Sequence, residues 1–267
     1  MKKFELTSEF VLNVFGVKLF RIKALISFGS VNAGELGGYV ETEENLDQSG
    51  DALVYGDARV YGDAWVSDDA WVSGDARVSG NARVSGDALI YGDARVYGDA
   101  RVYGNARVSG NAWVSGDARV YGDARVYGDA RVYGDARVSG NARVSGNARV
   151  SDDARVSGNA RVSGNARVYG DARVYGDARV KKSAHLFQLG ALGSRNGFTT
   201  FFRVKTNKIH VVCGCFLGSI DEFEKAVAET HADTKHEKTY LLAIELAKLQ
   251  IELDEIEGEE PAEEWPT

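Results

Sequence analysis

The sequence predicts an all-β rod of stacked parallel coils, about seven in number and triangular in section, followed by a small α+β domain. Three observations carry this fold class. From Asp51 to Val180 one six-residue phrase, Gly-Asp/Asn-Ala-Arg-Val-Tyr/Ser, recurs twenty-two times without insertion or deletion. Every sixth residue from Ala52 to Ala178 is alanine, and every sixth from Val54 to Val180 is valine apart from Ile90. After Lys181 the phrase stops, and all four histidines and both cysteines follow it. A strict short period means supersecondary units that stack on one continuous core.

Taken in chain order, residues 1–49 form an N-terminal hairpin and capping segment. Phe10–Phe15 and Leu19–Ala24 alternate as two strands around a turn near Gly16, with Arg21 and Lys23 outward. Val40 and Leu46 fall six apart, in register with Ala52, so a degenerate first coil begins near Gly38. Residues 50–180 are the rod. Within one unit Ala-Arg-Val-Tyr alternates apolar and polar, which turns Ala and Val inward and Arg and Tyr/Ser to solvent. The Gly-Asp or Gly-Asn pair is corner chemistry, since Gly, Asn and Asp tolerate a positive φ. A turn pair every six residues leaves no room for a helix. Three sides close a coil of eighteen residues, and at about 4.8 Å per layer the rod is roughly 35 Å long. Asp68 and Asp152 stand where other units have the corner glycine.

Residues 181–256 read as the α+β domain. His185–Gly190, Phe198–Lys205 and Lys208–Cys213 are short strands, the last two joined by a Thr-Asn turn. Ser219 and Glu222 have capping-box spacing and open a helix from Ile220 to Thr230. A second helix runs from Thr234 to Ile256. It carries two apolar stripes: Leu242, Leu246, Leu249, Leu253 and Ile256 in 4-3-4-3 spacing, and Tyr240, Ile244, Ala247 and Ile251. Two stripes imply burial on two sides, one against the hairpin and one against a partner helix. The acidic tail, 257–267, contains both prolines and reads as disordered.

The Val and Ala spacing of residues 51–180 resembles the hexapeptide-repeat left-handed β-helix, the superfamily of trimeric acyltransferases. The resemblance implies left-handed coils and a homo-oligomer, a trimer by family expectation. The string Ala33–Glu41 with Asn45-Leu46 and Gly50-Asp-Ala52 looks like the N-terminal cap of bacterial and prophage hexapeptide-repeat proteins, named as transferases or polymer-forming. Gly193–Asn196, Thr199–Phe201 and Cys213–Phe216 resemble small domains of phage proteins. Together these imply a phage- or prophage-derived chain.

On the outside of the prism, residues eighteen apart form columns. The residue before Val is Arg in seventeen units; Leu53, Trp65, Trp71, Leu89 and Trp113 are the exceptions. Leu53, Trp71 and Leu89 fall on one side in consecutive coils, an apolar stripe that residues 1–49 or a neighbouring subunit would cover. Trp65 joins them as a contact candidate. Tyr and Ser alternate along two sides, which suits a ring lying over the small residue of the next coil. Rows of Arg suggest nucleic acid, but fifteen corner Asp plus Asp68 and Asp152 balance them, so the surface neutralises itself. Seven Asn corners relieve like-charge stacking.

Acyltransferases of the resembled superfamily use a histidine base and loops extruded from the coils. Residues 51–180 contain no histidine, cysteine, lysine or threonine and no extruded loop, which argues against base-catalysed transfer and against a threonine ice-binding array. In the C-terminal domain Cys213, Cys215, His231 and His236 are the candidate zinc ligands, zinc being the one cofactor the residue types suggest. A bland alternative has two semi-buried thiols and two helix-terminal histidines. Ser194, Arg195 and Asn196 form a turn able to hold an anion, with His210 or Lys205 nearby; an ordinary surface turn is the simpler reading. No hydrophobic run is long enough for a membrane span and Met1-Lys-Lys leads into no signal-peptide core, so the expected compartment is the cytoplasm. The net charge of −7 arises at the ends. The function expected is a non-enzymatic structural or interaction protein with an unknown protein partner. The alternatives are a binder of a small anionic or nucleotide ligand through the C-terminal domain, and a hexapeptide-type acyltransferase.

Overall fold

The computed structural model describes residues 2–253. Ile256 and the acidic tail, on which two of the readings above fall, lie outside the described residues. The chain divides into two compact units, one ending at Ser183 and the other beginning at Ala184.

The first unit is a β-solenoid with a capped beginning. Each hexapeptide supplies a short rung, and rungs eighteen residues apart pair in parallel with Val over Val: Val102 faces Val120, and Arg101 faces Arg119. The rung N–H groups donate to carbonyls of the following coil, as Arg59 N does to Ala76 O at 2.9 Å and Tyr61 N to Val78 O at 3.1 Å. Three parallel sheets result, and every inward Val from Val54 to Val180, with Ile90, is completely buried. The inward alanines are buried with them, so each layer is filled by methyl groups that gain from leaving water coil by coil.

The corners explain the two departures from glycine. Asp68 and Asp152 adopt φ of 57° and 58°. Each carboxylate accepts the N–H of the corner glycine one coil on, Asp68 from Gly86 at 2.9 Å and Asp152 from Gly170 at 3.0 Å. The strain of the left-handed conformation is thus offset by a hydrogen bond that glycine cannot make. At the neighbouring corner position Asn amides donate to the Asp of the next coil, Asn81 to Asp99 at 2.9 Å and Asn105 to Asp123 at 3.1 Å.

The beginning of the solenoid has the degenerate first coil that the sequence predicts, but in a different register. Strand β1 (Phe4–Leu12) pairs antiparallel with β2 (Lys18–Ala24), and β2 with β3 (Leu36–Val40). The first strand therefore ends at Leu12 and not at Phe15, because Asn13 Oδ1 accepts the N–H groups of Phe15 and Val17 and closes the turn. β3 then pairs in parallel with the rung Arg59–Val60. Val40 sits over Val60 and Leu46 over Val66, so both take the valine position and not the register of Ala52. The first coil is two residues longer than the others, and it brings the solenoid to about eight coils. Asn45 makes its corner possible. Its Oδ1 accepts from Glu41 N and Thr42 N, and its amide donates to Gly62 O and Ala64 O at 2.8 and 2.9 Å.

The second unit is a four-stranded antiparallel sheet with two helices. Its strands are Leu186–Leu192, Gly197–Arg203, Ile209–Cys213 and Phe216–Ser219, in sequential order. The fourth strand was not foreseen, because Gly214-Cys215 is a two-residue hairpin turn with Cys213 opposite Phe216. Helix α1 (Ile220–His231) follows directly, then α2 (Lys235–Gln250). α2 ends well before Ile256: Ile251 leaves the helical conformation while its N–H still bonds to Ala247 O. The core joins Phe201, Val211, Phe223, Val227, Tyr240 and Ile244.

Candidate functional site

The α1–α2 pair is the best-defined construction in the C-terminal unit. Ser219 caps α1: its hydroxyl accepts the N–H of Glu222, and the Glu222 carboxylate accepts the Ser219 N–H at 2.7 Å. The Ser219 N–H first, and then the Ser219 hydroxyl, which donates to Glu222 Oε2 at 2.8 Å, hold the Glu222 carboxyl below its ordinary value. Phe223 on α1 meets the Tyr240 ring edge-on, with centroids 5.5 Å apart. α2 therefore rests on the sheet through Tyr240, Ala243, Ile244 and Ala247, all buried. Its other stripe faces solvent: Leu242, Leu246 and Leu249 are 66%, 44% and 79% exposed, while Leu253, expected on the same stripe, lies beyond the end of the helix. On a helix of 100° per residue the two stripes lie on opposite faces.

The four proposed zinc ligands are not brought together. Because Cys215 belongs to the hairpin turn, it does not share a strand face with Cys213; it is exposed while Cys213 is partly buried. Thr199 Oγ1 donates to Cys213 Sγ at 3.2 Å, and the thiol lies 3.7 Å from the Tyr240 hydroxyl. Burial first, and then the Cys213 contact, push the Tyr240 phenol up to about 12. His231 and His236 are ring neighbours at 5.9 Å, but His231 packs on the Tyr240 ring at 5.5 Å. Among the described residues no three His, Cys, Asp or Glu side chains converge as a metal-binding group.

The anion turn is likewise not the constellation expected. Ser194, Arg195 and Asn196 are exposed, and Asn196 N donates to Gly193 O to close the turn. Lys205 follows the opposite end of the strand Gly197–Arg203, and His210 pairs with Phe202 near that end, so neither lies beside the turn. Gly193 is required for packing, since a Cβ there would collide with the Tyr240 hydroxyl.

On the solenoid, Leu53, Trp71 and Leu89 do stack in consecutive rungs of one sheet. Leu53 is covered by Ala24, Val31 and Phe28 of the N-terminal segment, whereas Trp71 stays 39% exposed. Trp65 lies on a different sheet, beside Arg83. Trp113 sits between two guanidinium groups, Arg95 at 5.2 Å and Arg131 at 4.7 Å, over an open depression of about 380 Å³ that Asp93, Asn111 and Asp129 also line.

Sequence reasoning missed Lys3. It is buried, its Nζ donates to the carbonyls of Ser49, Gly50 and Ala52, and it lies over the Phe28 ring. Desolvation lowers its pKa against the opposing pull of Asp47 and Asp51. Lys3 plugs the irregular first coil, where three carbonyls would otherwise lack donors. No signal in Met1-Lys-Lys distinguishes it from an exposed terminal lysine.

The YdcK beta solenoid repeat matches the chain at residues 58–74, 76–92, 88–102, 100–116 and 118–134, then in overlapping segments from 124–140 to 166–182. No curated protein matches it. The matched segments coincide with the rungs of the three parallel sheets, each phrase supplying one rung and one corner. With its stacked coils and its repeat match, the chain is a β-solenoid repeat protein.

Proposed function

We propose that this is a non-enzymatic structural or interaction protein, with the solenoid as scaffold and the C-terminal domain as its interaction module. One observation carries the reading. The solenoid interior is filled by Ala and Val, and its wall offers Arg, Tyr, Ser, Asp, Asn and a few Trp and Leu, with no histidine, cysteine or lysine between residues 51 and 180. A base-catalysed acyl transfer on that wall lacks a group suited to accept a proton near neutral pH. What the wall does offer is a repetitive surface of mixed charge, which suits a rigid support.

The finer assignments belong to the same proposal. The resemblance of the rod to hexapeptide-repeat left-handed β-helices, and of the cap string and C-terminal segments to prophage and phage proteins, supports a phage-derived chain. Two cysteines without disulfide spacing support the cytoplasm. The solvent-facing leucines of α2 support a homo-oligomer. Calorimetric titration of acetyl-CoA into the full chain tests the central claim. No heat beyond dilution is expected, and saturable binding abolished by substitutions on the solenoid wall overturns it.

A further inference from the structure

We propose that Tyr103 and Tyr121 are a modification site, where a peroxide acting through a one-electron peroxidase joins the two rings as dityrosine and clips neighbouring coils together. The two residues occupy successive rungs of one sheet, Tyr103 opposite Tyr121 in parallel register. Their rings lie 5.0 Å apart and within 2° of parallel. Rings so nearly related by translation hold each ortho carbon over its counterpart in the next coil. Both side chains are half-buried, so solvent and small oxidants reach them. The last side-chain torsion of tyrosine is broad, which lets two such rings rock together at their edges.

The pair has no equal on the solenoid. Ten tyrosines fall between residues 51 and 180, and only Tyr103 and Tyr121 stand eighteen residues apart. Tyr97 and Tyr133 are exposed, but each has a serine one coil before and one coil after it. The two rungs are also longer than those beside them. Strand pairing runs on through Tyr103 and Tyr121, whereas the rungs before and after end at Val84 and Val138. The backbone beneath the rings is thereby fixed, and only the side chains need to move.

The step balances with the peroxide as its sole co-reactant. Each phenol loses one electron to the peroxidase and one proton to solvent, which leaves a phenoxyl radical with spin on its ortho carbons. One ortho carbon of each ring forms the new C–C bond. The hydrogen on each joined carbon then moves to the oxygen of its own ring, and aromaticity returns. One hydrogen peroxide takes up the two electrons and two protons and becomes two waters. Burial first, and then Tyr121, hold the Tyr103 phenol above its ordinary value, so Tyr103 enters the reaction protonated. Solenoid units are held chiefly by the interfaces between neighbouring coils. A covalent bond across eighteen residues keeps two of them from parting and restricts the unfolded chain. The scaffold thus gains a means of hardening under oxidation, whatever it presents.

Treatment of the full chain at submicromolar concentration with a haem peroxidase and hydrogen peroxide tests the proposal. The species that stays monomeric on a denaturing gel is expected to gain dityrosine fluorescence and to lose two hydrogens in mass. In a tryptic digest the peptide 102–107, Val-Tyr-Gly-Asn-Ala-Arg, occurs once and should appear joined to Val-Tyr-Gly-Asp-Ala-Arg, the sequence of 120–125. Tyr121→Phe keeps a stacked ring without the hydroxyl and should remove the joined peptide, while Tyr97→Phe should leave it unchanged. The cross-linked parent should unfold at a higher urea midpoint than the untreated parent, and treated Tyr121→Phe should show no such rise. Absence of dityrosine, dityrosine confined to species that join two chains, or a joined peptide that survives Tyr121→Phe overturns the proposal. An unchanged midpoint in the cross-linked parent overturns it as well.

Discussion

Gly140 is a corner at which the structure predicts that a larger side chain is tolerated better than a smaller one. Its φ is +62°, and a Cβ there would lie 3.2 Å from Gly158 N and 3.4 Å from Gly158 O in the next coil. Alanine brings the left-handed penalty, about 1–2 kcal/mol, with nothing in return. Aspartate brings the same Cβ, but at Asp68 and Asp152 that residue accepts the N–H of the following corner glycine at 2.9 and 3.0 Å. At a solvent-facing corner such a bond recovers about 1 kcal/mol. Both natural cases follow a serine, Ser67 and Ser151, and Gly140 follows Ser139. Gly140→Ala is therefore expected to lower stability by about 1–2 kcal/mol and Gly140→Asp by less than about 1 kcal/mol. Urea unfolding followed by far-UV circular dichroism reads the order directly. The advantage of Asp over Ala should also fade below about pH 3, where a carboxylic acid is protonated and no longer a charged acceptor. If Gly140→Asp proves no better than Gly140→Ala at neutral pH, the corner hydrogen bond is not what permits Asp68 and Asp152, and the account of the corners fails.

Three further outcomes follow from packing and titration. Val126 is wholly buried between Val108 and Val144, so Val126→Ala removes two methyl groups and leaves space behind them, a loss of about 2 kcal/mol in urea unfolding. Ser219→Ala removes the cap of α1 and should cost about 1 kcal/mol by thermal unfolding. Because Glu222 is held below 4.5 by its bonds from Ser219, the cap's stabilisation is present above that pH and lost as pH falls through the lowered value; the variant should lack this acid-dependent part. For Tyr240 the sign reverses, since its pKa is raised above 10.0 to about 12. Stabilisation is full below pH 10.0 and lost as pH rises through about 12, and ultraviolet titration of Tyr240→Phe should lack the component that ionises there.

The solenoid was legible because its information is local and repeated. Alternation of Ala and Val with polar residues defines the inward face within one unit, and the unbroken six-residue count fixes which unit lies over which. Both survive without knowledge of distant contacts. The first coil was misread for the same reason. Its register depends on Asn45 bridging to carbonyls nineteen or fewer residues ahead and on Lys3 reaching Ser49, Gly50 and Ala52, and no periodicity encodes either. Irregular coils are held by single polar side chains, and single side chains leave no pattern to count.

In the C-terminal domain the same distinction separates what could be read from what could not. The two stripes of α2 and the Ser219–Glu222 cap are properties of helical spacing, so their residues could be named from the sequence alone. Which stripe would be buried was a question of tertiary context. Tyr240 and Ile244 were buried because Phe201 of the sheet and Phe223 of α1 supply a matching apolar surface, and the leucines were left outside. The zinc reading failed at one glycine. A strand continued through Gly214 would put Cys213 and Cys215 on one face, but Gly214 adopts φ of 59° and turns the chain into a fourth strand. Cys213 then faces Thr199 and Tyr240, which supply the polar contacts that its position offers. That single turn converts a ligand pair into one packed thiol and one exposed thiol.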